Sequence, residues 1–124
     1  MIKVLIVEDN ELNQVVLQEM LSIIFSDLDI TCKDGAIETL EMTDLSSYQL
    51  ILSDIDMPKM DGFELYTELR NTRQIKAPII AITALAVQGD RDRMLLHGFD
   101  AYVSKPIDMG DLETILTPYI NELS

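Results

Sequence analysis

The sequence predicts one α/β domain: a parallel sheet with helices on both faces. Three observations predict it. Short apolar runs alternate five times with stripes of apolar residues at helical spacing, the connections between them are short, and no linker, low-complexity run or internal repeat interrupts the 124 residues. Parallel strands joined through helices by right-handed crossovers give this pattern.

Each element has its own signal. Ile2 to Val7 is nearly continuously apolar, as in a strand buried on both faces, and Glu8-Asp9-Asn10 end it. From Leu12 onward, Leu17, Met20, Leu21 and Ile24 recur at helical spacing. Ile30-Thr31-Cys32-Lys33 alternates apolar and polar, which suits a strand at a sheet edge. Asp34-Gly35 turns the chain into a short helix marked by Ala36, Ile37 and Leu40. Leu50-Ile51-Leu52-Ser53 is a third strand ending in Asp54, and Asp61-Gly62 introduces a helix carrying Leu65 and Leu69. Pro78 to Ile82 is a fourth strand ending in Thr83, and a helix through Met94 and Leu95 closes at Gly98. Ala101-Tyr102-Val103 forms a short fifth strand ending near Lys105-Pro106. Leu112, Ile115, Leu116, Tyr119 and Ile120 stripe a last helix, which Pro118 either kinks or ends near Thr117.

Composition narrows the function. A hydrophobic content of 48% is enough for a core, and no apolar run approaches the roughly 20 residues of a membrane span. No secretory signal follows Met1, so the expected location is the cytoplasm. A single cysteine, Cys32, excludes disulfide frameworks and cysteine-rich metal sites. The net charge of −13 repels a phosphate backbone, which argues against nucleic-acid binding.

The polar residues that follow the strands are Glu8 and Asp9, Asp54, Thr83 and Lys105. In a parallel sheet all carboxyl ends lie on one edge, so these five side chains converge. Two carboxylates about 4 Å apart repel by roughly 4 kcal/mol at an effective dielectric near 20. A hard divalent cation such as Mg²⁺, with Mn²⁺ as the alternative, relieves that repulsion through oxygen ligands. Lys105 adds a second positive charge and the Thr83 hydroxyl a donor, so Asp54 becomes a nucleophile held for phosphoryl transfer.

At these residues the sequence resembles the receiver domain of two-component response regulators. The matching stretches are Val7-Glu8-Asp9-Asn10, Ser53 to Gly62, Ile82-Thr83-Ala84 and Val103-Ser104-Lys105-Pro106, and the resemblance spans essentially residues 1–124. It implies the strand order 2-1-3-4-5 and a phosphoryl donor that is a histidine kinase or histidine phosphotransfer protein. It implies Asp54 as acceptor, Glu8 and Asp9 as the acidic metal pocket, the Asp56 backbone carbonyl as a further ligand, and Lys105 against the phosphoryl group. It also implies a switch in which Thr83 moves toward the new oxygens and Tyr102 turns inward, read by a downstream output domain or protein. Lys105-Pro106 matches a bond that is cis in the family. The stretch from Val7 to Asn13 leans toward the receivers of hybrid histidine kinases, and both a stand-alone regulator and part of a longer chain stay open. Asp56 departs from the family, where an amide or apolar side chain is commoner; its carboxylate either repels a donor or orients a hydrolytic water.

Blander readings compete. Taken alone, Asp54 caps a turn, Lys105 is a solvated lysine and Tyr102 packs at an edge with a wet hydroxyl. His97 reads as a solvated helix end, Cys32 as a small core residue, and the seven methionines as core filler. Among functions, Asp54-Ile55-Asp56 looks like the nucleophile motif of haloacid dehalogenase-type phosphatases, with Gly89-Asp90-Arg91-Asp92 as a faint late acidic motif. A chain this short lacks room for their usual cap, and Glu8-Asp9 lies ahead of the nucleophile. A degenerate binding module conflicts with the full set of reactive residues, and a calcium loop with Pro58 and Lys59.

Overall fold

The structure is a computed structural model; it describes residues 1–84 and 90–123, and Asp90 and Arg91 by backbone only. The elements run β1 (Ile2–Val7), α1 (Glu11–Ile24), β2 (Leu28–Lys33), α2 (Ala36–Leu40), β3 (Leu50–Asp54), α3 (Gly62–Thr67), β4 (Ile79–Thr83), α4 (Asp90–His97), β5 (Ala101–Ser104) and α5 (Met109–Leu123). All strand pairings are parallel and the order is β2-β1-β3-β4-β5, the doubly wound order. The alternating strand β2 is an edge, as its pattern predicts.

Alternation along the strands sorts the core into two layers. Leu5, Val7, Ile51, Ile79 and Ala81 face the side that carries Leu65, Leu69 and Met94, under α3 and α4. Val4, Ile6, Leu50, Leu52, Ile80 and Ile82 face Leu17, Leu21, Leu112 and Leu116 of α1 and α5. Each Val, Leu, Ile or Met among them contributes about 1.5–3 kcal/mol when fully buried. Helices on both faces leave only the strand ends open.

Local chemistry sets the helix boundaries. The Asn10 side chain accepts from the Asn13 N–H at 3.0 Å and caps α1. Asp61 and Glu64 form a reciprocal capping box at the start of α3. That helix continues as a π-helical turn, Glu68–Thr72. Gly98 closes α4 with a φ of 125°, in the left-handed region. Of the two outcomes at Pro118, ending near Thr117 is excluded: α5 runs on to Leu123. Pro118 lies on the exposed side of α5, where water can satisfy the Thr114 carbonyl it leaves without a helical partner. The Lys105-Pro106 bond is cis. Among the described residues no helix is long and apolar enough to cross a membrane.

Candidate phosphoacceptor and metal site

The strand order reverses direction at β1, and the crevice beside it lies between the ends of β1 and β3. Ser53 pairs with Val7, so Asp54 ends level with Glu8, while its other neighbour is Ile82, one residue before Thr83. Thr83 in turn pairs with Ser104, and its carbonyl accepts from the Lys105 N–H at 2.8 Å. Register alone therefore brings the predicted residues to one place.

The side chains complete the convergence. Lys105 Nζ lies 3.0 Å from Asp54 Oδ2 and 3.1 Å from Glu8 Oε2, so one ammonium bridges two carboxylates. Glu8 and Asp54 are buried, 2% and 3% exposed, whereas Asp9 is exposed. Oxygens of Glu8, Asp9 and Asp54 all lie within 4.8 Å of one another, an all-oxygen set of formal charge −3 that one ammonium does not balance. Such a set fits a hard divalent cation. Glu8 Oε1 also accepts from the Asn10 N–H at 3.1 Å.

Burial is the main influence on the Asp54 carboxyl and pushes it up to about 6; Lys105 pulls it down, and the Glu8 charge raises it again. Desolvation also raises Asp9. Burial acts to lower the Lys105 ammonium, but its bonds to Asp54 and Glu8 outweigh that and hold it above its ordinary value. The Glu8 charge that helps to raise Asp54 is the part that an added cation would offset.

The remaining predicted residues fall around this centre. The Asp56 N–H points at Asp54 Oδ1 from 3.4 Å, and the Asp56 side chain is exposed. Thr83 is fully buried at the tip of β4. Tyr102 is half-buried on β5, packs against the α3–α4 layer and lines a cavity of about 450 Å³ with Leu95, Asp100 and Ile115. His97 is less free than a solvated helix end: Nε2 lies 3.2 Å from the Phe63 carbonyl and 3.3 Å from Thr67 Oγ1. Cys32 is half-buried rather than core, taking a bond from Gln18. Gly89 of the Gly89-Asp90-Arg91-Asp92 motif, with the Asp90 and Arg91 side chains, lies outside the described residues.

Sequence reading missed two contributors. A Cβ on Gly62 would lie 2.5 Å from the Asp54 carbonyl oxygen and 2.7 Å from Ile55 Cα, so only glycine lets α3 start against the Asp54–Ile55 backbone. The Asp-Gly pair signalled a helix start but not this approach. Gln14, a polar residue in a helical stripe, is buried behind Glu8 and donates to its carbonyl at 2.6 Å.

Comparison with known proteins agrees with this geometry. The family model "Response regulator receiver domain" matches residues 4–117. Hybrid signal transduction histidine kinase G of Dictyostelium discoideum is 36% identical over 124 residues, covering 95% of this chain but 4% of that kinase. The polar-differentiation response regulator DivK of Brucella ovis is 32% identical over 120 residues, 96% of each. Among solved structures, the receiver domain of sensor histidine kinase PA1611 from Pseudomonas aeruginosa has a TM-score of 0.78 and 35% identity, covering 96% of this chain and 97% of that one; it holds a magnesium ion in its active-site cleft. The receiver domain of Ssk1 from Saccharomyces cerevisiae, crystallised with the histidine phosphotransfer protein Ypd1, has a TM-score of 0.83 and 26% identity over 95% of this chain and 88% of that one. With this match over nearly its whole length, the chain belongs to the response regulator receiver domains of two-component signalling.

Proposed function

We propose that Asp54 accepts a phosphoryl group from a phosphohistidine donor, a histidine kinase or histidine phosphotransfer protein, and that residues 1–124 act as one receiver unit. The observation that carries the reading is the buried pair Glu8 and Asp54 sharing the Lys105 ammonium, with Asp9 beside them. In the transfer, an Asp54 carboxylate oxygen bonds to phosphorus as the phosphorus–nitrogen bond of the donor breaks. The imidazole keeps that electron pair and takes up a proton. Lys105 moves from a carboxylate partner to a phosphoryl oxygen, so its charge stays paired throughout. The Glu8, Asp9 and Asp54 carboxylates and the Asp56 backbone carbonyl would hold Mg²⁺, or Mn²⁺, which supplies charge neutralisation for the transferring oxygens.

The product is a signal rather than a released metabolite: the chain modifies itself and does not turn over external substrates. Thr83, at the strand tip next to Asp54, donates to the new oxygens, and Tyr102 follows it inward and changes the α4–β5–α5 surface seen by an output domain or protein. On this reading the chain works in the cytoplasm, where such donors would meet it, without membrane insertion or direct nucleic-acid contact.

Intact-mass analysis after adding acetyl phosphate and Mg²⁺ tests the reading. Wild type should gain one phosphoryl group; Asp54→Asn, and wild type with the metal chelated, should gain none. Labelling that persists in Asp54→Asn would assign the acceptor elsewhere.

A further inference from the structure

We infer that Gln14 is a positioning residue for the Glu8–Asp9 corner, with Asp34 acting behind it. The inference rests on the reading of that corner as part of a divalent-cation site. Both amide hydrogens of Gln14 are used: Nε2 donates to the Glu8 carbonyl at 2.6 Å and to Asp34 Oδ1 at 2.8 Å. The side chain is nine-tenths buried, so water does not replace either bond freely.

What those bonds fix is a peptide plane. The Glu8 N–H is already held by the Lys33 carbonyl at 3.1 Å, the last rung between β1 and β2. Gln14 secures the other end of the residue, the carbonyl of the peptide that leads into Asp9. Glu8 itself is buried and bonded through its carboxylate, whereas Asp9 is exposed and engages Glu8 and its own backbone. Its aim depends on the orientation of the peptide before it. Asp34, just past β2, fixes the Gln14 amide and so links the edge strand to the corner. Supporting partners of this kind typically govern metal affinity by about 10–100-fold.

Isothermal titration with Mg²⁺ alone tests this. Gln14→Met keeps the length of the side chain and removes both donors; it should weaken Mg²⁺ binding about tenfold. Asp34→Asn retains an acceptor oxygen and should bind as wild type does, whereas Asp34→Ala should weaken binding. Adding Asp34→Ala to Gln14→Met should cost nothing further, because Asp34 acts through Gln14. A purely structural role predicts a lower melting temperature with unchanged Mg²⁺ affinity in Gln14→Met, and that result overturns the inference. Should Gln14→Met fail to fold, unchanged affinity in the exposed-site variant Asp34→Ala overturns it equally. Wild type that binds no Mg²⁺ would instead remove the metal reading itself, a separate failure.

Discussion

Asp54 lives with a conflict between charge and burial. Its carboxyl rises from 3.8 to about 6, chiefly because burial disfavours the anion, so ionisation is harder in the folded chain than in the unfolded one. The sign follows from linkage: the folded state binds the extra proton, so Asp54 supports folding below about pH 4 and withdraws that support as pH rises through 6. The withdrawal reaches at most ~3 kcal/mol above pH 7. Asp54→Asn, which never ionises, is therefore expected to melt at a higher temperature than wild type at pH 7.5 in chelator. The gap should close towards pH 4, and melting curves across that range check it. A gap constant with pH would show that Asp54 is not the strained group. Mg²⁺ should raise wild type more than the variant, since it would compensate the charge of the buried carboxylate. The convergence of Glu8, Asp9, Asp54 and Lys105 was legible in the sequence, because strand ends and parallel pairing decide where they go. Gln14 and Asp34 were not: their meeting depends on how α1 is rotated over the end of β2, which no local pattern encodes.

Between strands, the tightest requirement falls where α3 meets β3. Gly62→Ala would push a methyl group into the Asp54 carbonyl and the Ile55 backbone, neither of which is a flexible side-chain tip. Overpacking of this kind costs about 1–3 kcal/mol, and urea denaturation should show a lower midpoint with an unchanged slope. Unaltered stability would mean that the loop between β3 and α3 yields easily. Among the described residues, the five strands and five α-helices were foreseen, since runs buried on both faces and stripes at 3.6-residue spacing are strong local signals. The short 3-10 turn Leu45–Ser47 was not. The π-helical turn at Glu68–Thr72 was not foreseen. There the Arg70 guanidinium donates to the Ile75 and Ala77 carbonyls at 2.7 Å, just past the turn, and to the distant Asp100 at 3.0 Å, contacts that periodicity does not reveal. Pro118 was ambiguous for a related reason: whether a helix tolerates proline depends on which side faces water. His97 was placed at the right helix end, but its bond to the Phe63 carbonyl needed the packing of α4 on α3.

Over the whole molecule, 22 acidic against 9 basic residues give a surface that repels itself. Raising the salt from about 0.01 M to about 0.15 M shortens the screening length from about 30 Å to 8 Å. The melting temperature should rise by several degrees, as scanning calorimetry would show; a fall would mean that attractive pairs dominate. The proposed switch would also be a property of the full domain. Thr83→Ala should still be labelled at Asp54 yet lose most of its phosphorylation-dependent gain in partner affinity, and an unaltered gain would take Thr83 out of the switch.

The bridge from Glu8 to Lys105 spans 97 positions. Its ammonium comes from the connection after the last strand to be synthesised, so a nascent chain carries both carboxylates before it has the cation that reconciles them. The bridge described above therefore forms only when β5 docks. A fragment truncated before that strand would leave Glu8 and Asp54 side by side without the ammonium that joins them.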